Sequence, residues 1–232
     1  MDVLMGWGGQ LLHGALVTLE VAFAALALGL VWGILGALAQ LSRWWLVRQL
    51  GFLFTLIMRG TPELLIILII YFGGSVTLTG LAKSVGLAAG FVEIPAFAAG
   101  VFALSLVFGG YAAEVLRGAF LAIPKGQIEA AEAFGFSWWD AFTTVRLPQI
   151  WRFALPGLGN NWVSLIKDTS LVSVVGLEEI MRVSGMATAV TGEPFRFYLI
   201  AAIIFYALTT SNGLLVAKLE RRASRGEREL AR

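Results

Sequence analysis

The sequence predicts an all-α integral membrane protein with five transmembrane helices, and three observations predict it. The 232 residues are 58% hydrophobic and 14% charged, with a mean hydropathy of +0.82, far more apolar than an average soluble domain. The apolar residues fall in long runs near the ~20 residues a helix needs to cross hydrocarbon, not in the ~10-residue alternating segments of a membrane barrel. Most basic residues stand beside these runs, as topology-setting charges do.

The first run, 11–41, has no basic stretch before it and no small-residue cleavage site after a short core, so it reads as a retained helix rather than a secretory signal. It carries His13 near its start and Glu20 further in. The second, 50–74, is interrupted at Gly60-Thr61-Pro62, and Arg59 and Glu63, four apart, are expected to pair on one helical face. The third, 94–116, ends at Glu114 and Arg117, an expected interfacial ion pair. The fourth, 153–177, holds Asn161, Ser164, Lys167, Asp168 and Thr169, and the fifth covers 195–217. The connections 75–93 and 178–194 are too short for a folded domain, although the latter has a short helical pattern around Leu177-Glu178-Glu179-Ile180. Residues 1–232 therefore read as a single transmembrane domain.

With the N-terminus outside and the C-terminus cytoplasmic, Arg43, Arg48, Arg117, Lys125, Arg146, Arg152, Lys218, Arg221, Arg222, Arg225, Arg228 and Arg232 all fall on the cytoplasmic side, which fixes the orientation. The pI is near 9.1, but the net charge is only +2. The basic residues flank spans, where they meet anionic lipid, so nucleic acid is not an expected partner. The sequence has no cysteine and one histidine, which leaves no disulfide, no thiolate nucleophile and no multi-histidine metal site. No Gly-rich phosphate loop of the Walker type is present.

Residues 121–151, between the third and fourth runs, have a different pattern. Pro124 suits a helix start, good helix formers follow, and Gly135 is a natural C′ residue. Ser137-Trp138-Trp139-Asp140 has the Ser-x-x-acid signature of a second helix start, and Pro148 is expected to stop that helix. A cytoplasmic helical hairpin results. Within it stand Glu129-Ala130-Ala131, then Gly135, then Val145-Arg146-Leu147-Pro148.

This spacing resembles the EAA motif of ABC import permeases, with Val145 where the family most often has Ile. Gly14-Ala15-Leu16-Val17-Thr18-Leu19, Arg59-Gly60-Thr61-Pro62 and Lys167-Asp168-Thr169-Ser170-Leu171-Val172-Ser173 are similar to the polar amino-acid uptake branch. Pro156-Gly157-Leu158-Gly159-Asn160-Asn161-Trp162 and Gly176-Leu177-Glu178-Glu179 resemble the Q-type subunits of histidine and lysine-arginine-ornithine importers, and opine and arginine permeases share much of this pattern.

The resemblance implies a type I ABC importer permease fold in a bacterial cytoplasmic (inner) membrane. It implies coupling to ATPase subunits through Glu129, Ala130, Ala131, Gly135, Leu147 and Pro148. ATP and Mg would be bound by two partner ATPases and no cofactor by this chain. A second permease subunit, similar but distinct, and a periplasmic substrate-binding protein would complete the assembly.

For the cargo, the resemblance implies basic amino acids (histidine, arginine, lysine, ornithine) and a pocket reached by Asn161 and Asp168, with Ser164, Thr169 and Glu20 near it. Several relatives carry Glu where Asn161 stands, and the histidine-type subunits often have a non-acidic residue where Asp168 stands, so this chain departs from both patterns. Asp168 could equally pair with Lys167 or lie at a helix break capped through Thr169 and Ser170. A stand-alone ion-coupled amino-acid carrier is the alternative, although the paired repeats common in such carriers are not visible. A membrane-embedded enzyme would need a nucleophile–base arrangement that the lone His13 does not provide.

Overall fold

The computed structural model describes residues 2–86 and 90–223, with side chains from residue 6 onward, so Arg225, Arg228 and Arg232 lie outside the described residues. All regular structure among those residues is helical: α1 (Asp2–Gln40), α2 (Trp45–Gly60), α3 (Glu63–Leu68), α4 (Gly74–Ser84), α5 (Ala96–Leu121), α6 (Lys125–Ala133), α7 (Trp138–Ala141), α8 (Leu147–Asp168), α9 (Ile180–Thr191) and α10 (Pro194–Ala223). Wider π turns join α3 to α4 at Ile69–Gly73 and α7 to α8 at Phe142–Arg146, and a 3-10 segment, Thr169–Val175, extends α8.

Among the described residues, four stretches are long and apolar enough to cross a membrane: Gly6–Gln40, Glu63–Ser84, Ala96–Leu121 and Pro194–Ala223. They correspond to four of the five expected runs. The remaining run, the fourth at 153–177, lies in α8 and the segment after it, and Gln149, Arg152, Asn160, Asn161, Lys167 and Asp168 make α8 more polar than the others.

The second run is divided differently from its expected bounds. Pro62 biases the residue before it toward extended backbone, and Thr61 adopts φ −106°, ψ 136°. Helix α2 therefore ends at Gly60, and the apolar helix restarts at Glu63 and runs through the π turn to Ser84. Much of the expected connection 75–93 is thus helical. The chain then returns alongside α4: Tyr71 donates to the Glu93 carboxylate, the Val92 N–H to Thr79 Oγ1 at 2.9 Å and the Ile94 N–H to Ser75 Oγ at 3.0 Å. Helix α9 likewise occupies most of 178–194, beginning where the short helical pattern lies.

The core is the seam between α1 and α5, where small residues let the backbones approach. A Cβ on Gly33 would stand 2.7 Å from that of Ala112, and one on Gly109 2.5 Å from that of Trp32. Close glycine packing of this kind drives helix association in lipid, where apolar burial gives little advantage. Val21, Ala22, Ala25, Ala103, Leu104 and Ala112 are fully buried there. Helix α8 packs against α5 and also meets α1, where Phe23 lies against Trp162, and α10 packs on α8, held by a Trp162 Nε1 hydrogen bond to Asn212 at 3.3 Å.

Candidate functional site

Two arrangements carry functional side chains, a cavity in the bundle and the hairpin 121–151. The cavity, about 280 Å³, is walled by Leu104, Val107, Phe108 and Tyr111 from α5, by Asn161, Ser164, Leu165 and Asp168 from α8, and by Glu63 at the start of α3. Both long helices contribute residues at i, i+3, i+4 and i+7, the spacing of one helical face. Its volume is close to the lower end of the ~300–1,000 Å³ usual for small-molecule sites.

Among the expected site residues, the structure brings Asn161, Ser164 and Asp168 together here. Glu20 and Thr169 are not walls of this cavity: Glu20 is exposed on α1, and Thr169 is fully buried, its hydroxyl donating to the Ile166 carbonyl at 2.7 Å. Ser170 donates in the same way to the Lys167 carbonyl, also at 2.7 Å. These bonds occupy carbonyls freed where α8 tightens into the 3-10 segment, and no ion pair joins Lys167 to Asp168 among the described residues. Helix α8 begins at Leu147, so Asp168 at its other end lies about 32 Å along it at ~1.5 Å per residue.

Glu63 is the wall residue that sequence reasoning assigned elsewhere. The pair expected between Arg59 and Glu63 does not form, because the break at Thr61-Pro62 resets the helical phase and turns them apart. Arg59 lies 3.8 Å from Glu114 on α5 instead, and Glu114 also pairs with Arg117 as expected. Glu63 is left facing the cavity with Asp168, and the two carboxylates repel each other across it. The Asn161 Nδ2 amide is buried without a hydrogen-bond partner. Two acids, an amide donor without a partner and a hydroxyl thus face one cavity, and no cationic side chain is among its walls. Tyr111 was also missed, although a phenol within an apolar run is a readable signal, since a buried Tyr hydroxyl usually seeks a partner.

The hairpin is built as its sequence indicates up to its last limb. Helix α6 closes on Gly135, whose φ of +85° is left-handed. The Gly135 N–H donates to Glu132 O at 2.9 Å and the Phe136 N–H to Ala131 O at 3.1 Å, the paired bonds of a Schellman end. Ser137 caps α7, accepting from the Asp140 N–H and donating to its carboxylate. Pro148 does not stop this limb. The chain stays helical through Phe142–Arg146 into α8, with Pro148 in the first turn, where its missing N–H costs least and the wider π turn makes room for its ring. Gln149 Nε2 donates to Gln127 Oε1 at 2.7 Å and ties the two limbs. Glu129 and Ala130 are exposed on α6, while Ala131 is buried against the hairpin.

The family described as the inner membrane component of binding-protein-dependent transport systems matches residues 29–225. The chain belongs to this family. It is an ABC transporter permease subunit of the inner membrane and is not itself catalytic. It is 46% identical over 223 residues to the nopaline transport system permease protein NocQ of Agrobacterium fabrum, covering 96% of this chain and 94% of that one. It is 41% identical over 228 residues to the histidine/lysine/arginine/ornithine transport system permease protein HisQ of Escherichia coli, covering 97% of both. Among solved structures, an amino acid ABC transporter crystallised with histidines matches with a TM-score of 0.81 at 30% identity, over 94% of this chain and 96% of that one. An inward-facing methionine ABC transporter shares the fold with a TM-score of 0.67 at 19% identity.

Proposed function

We propose that this permease subunit imports basic amino acids, such as arginine, lysine, ornithine and histidine, through the cavity between α3, α5 and α8. The observation that carries this reading is the convergence of Glu63 and Asp168, with Asn161 and Ser164, on one cavity that has no cationic wall residue. A cationic side chain or α-ammonium group between the two acids relieves their repulsion, and charge-assisted hydrogen bonds fix it. The unpartnered Asn161 Nδ2 is placed to donate to a substrate carboxylate. Names of relatives support the cargo class: one transports histidine, lysine, arginine and ornithine, another nopaline.

In this reading α8 is also a span, the fourth in chain order and the one that completes five, its polar residues facing the cavity and the bundle, and the N-terminus lies outside. The hairpin 121–151 enters a groove on a cytoplasmic ATPase, with Glu129 and Ala130 on the exposed face of α6 and Gly135, Leu147 and Pro148 shaping its turn and return. Exposed Phe134, Trp138 and Trp139 on the hairpin form an apolar surface fit for such a groove. The assembly is completed by a similar second permease, two ATPases that bind ATP and Mg, and a periplasmic binding protein. Family membership favours this reading over the stand-alone carrier.

The test is uptake by the reconstituted transporter with Asp168→Asn and Glu63→Gln, measured at limiting arginine, histidine and a neutral amino acid. Loss of a charge-assisted bond, about 1.5–3 kcal/mol, should lower arginine uptake by about tenfold or more and affect the neutral amino acid far less. An equal loss for all three cargoes would show that the cavity does not read charge.

A further inference from the structure

Tyr111 borders a second cavity as well as the first. This one, about 650 Å³, is lined from α2 by Phe52, Thr55, Leu56, Arg59 and Gly60, among others, and Tyr111 is the wall the two cavities share. They lie on opposite sides of the α2–α3 break: Arg59 and Gly60 before it face one, and Glu63 after it faces the other. Since α2 follows the α1–α2 turn bearing Arg43, the second cavity lies on the cytoplasmic side of the first.

At this shared wall α2 and α5 are latched. The Arg59 guanidinium lies over the Tyr111 ring, 5.6 Å from its centroid, and 3.8 Å from the Glu114 carboxylate. Glu114 also holds Arg117, whose guanidinium lies 5.7 Å from the ring centroid of Phe52 back on α2. The backbones are close here too, for a Cβ on Gly110 would stand 2.6 Å from that of Met58. Each helix thus gives one ring and at least one cation to the other, and one carboxylate serves both arginines.

We propose that Arg59 and Tyr111 form the cytoplasmic gate of the substrate cavity, and that the fixed charge of Arg59 bars a cationic amino acid from leaving until α2 separates from α5. The inference rests on the basic cargo proposed above. Tyr111 closes the passage by its bulk. Arg59 adds a barrier specific to cations, because any ammonium or guanidinium leaving the cavity must pass it at close range. Glu114 sets the position of Arg59 on the ring, and the extended Thr61-Pro62 joint lets α2 move without carrying Glu63 with it.

The absence of cysteine from the chain permits a direct test in the assembled transporter. Ser164→Cys places one thiol in the substrate cavity, and inside-out vesicles held with a non-hydrolysable ATP analogue expose the cytoplasmic face to membrane-impermeant methanethiosulfonates, one cationic and one anionic. Labelling is read as the mass of this chain. With Arg59 and Tyr111 intact, labelling should be slow. Tyr111→Ala should accelerate both reagents about tenfold or more, whereas Arg59→Leu should accelerate the cationic reagent several-fold more than the anionic one. Tyr111→Phe and Arg59→Lys, which keep ring and charge, should label as slowly as the parent. Fast labelling of the parent, unchanged labelling in both gate variants, or an unchanged reagent ratio in Arg59→Leu would overturn the gate. A structural role alone would not move that ratio. If the cargo is not basic, arginine uptake will not depend on Asp168 while the labelling pattern still holds, so the two failures are distinct.

Discussion

At the scale of single residues, Glu179 shows how strongly position governs a carboxylate. In sequence it stands in the short helical pattern of the connection 178–194, yet its side chain is fully buried in the turn before α9, with Gly14 of α1 packed against its backbone. One oxygen caps α9, accepting the Arg182 N–H at 2.9 Å, while Oε2 has no hydrogen-bond partner. Burial pushes the carboxyl up to about 7, and the N–H groups of Met181 and Arg182 offset this only in part. The acid's folded value is raised above its ordinary 4.5, so folding favours the protonated form. Stability from this group is complete below the ordinary value and is lost as pH rises through about 7, a change of roughly 3 kcal/mol at ~1.4 kcal/mol per pH unit. Glu179→Gln keeps the capping oxygen and removes the charge. In detergent its melting midpoint should match the wild type near pH 5 and exceed it by several degrees near pH 8. A pH-independent difference between the two proteins would show that the charge is not what destabilises.

At the scale of elements, the α1–α5 seam depends on absent side chains. Gly33→Val would drive a branched side chain into Ala112, where even the Cβ would stand at 2.7 Å, and overpacking of this kind costs about 1–3 kcal/mol. Gly118→Val, on α5 where a Cβ meets nothing within 4 Å, is the matched control. Thermal melting in detergent should show a clear loss for the first and little for the second; equal losses would mean that helix propensity and not the seam is responsible. Such elements are the legible part of this protein, because apolar length and turn chemistry are local. The runs, the Gly135 turn and the Ser137 cap could all be read directly. The break at Gly60-Thr61-Pro62 was legible too, but not its consequence, because reorientation of Glu63 into the cavity depends on where α3 goes after the break. Tyr111 and Glu63 become site residues only through packing of α5 against α8 and α3. Pro148 was misread because the π turn before it, which keeps the limb helical, has no strong local signal. Asn161, Ser164 and Asp168 were found together because they share one helical face.

At the scale of the whole molecule, the continuity of the last hairpin limb with α8 connects the two functional regions. Each joint of the hairpin is fixed: the Schellman end at Gly135, the Ser137 cap, the Gln149–Gln127 bond, and the Trp138 and Phe142 rings stacked 5.5 Å apart. From Trp138 to Asp168 the backbone stays helical without a break. A helix resists bending and compression far more than a loop does, so in the proposed assembly a push on the hairpin is carried along α8, past Pro156, which donates no N–H to the helical ladder, toward Asn161, Ser164 and Asp168. Their geometry relative to Glu63 on α3 and Tyr111 on α5 would then change, so in the proposed assembly an ATPase that moves the hairpin would alter the affinity of the cavity as well as its access. Glu129 is the exposed charge at the input end of this lever. Truncating one partner of a buried interfacial ion pair costs about 2–5 kcal/mol, so Glu129→Ala should weaken ATPase co-purification and cut binding-protein-stimulated hydrolysis about tenfold or more. Because Glu129 is solvent-exposed in the subunit itself, membrane insertion and the melting midpoint of the isolated chain should not change. Wild-type stimulation in the variant would place the contact elsewhere on the hairpin, and a lowered melting midpoint would mean that Glu129 holds the hairpin together rather than its partner.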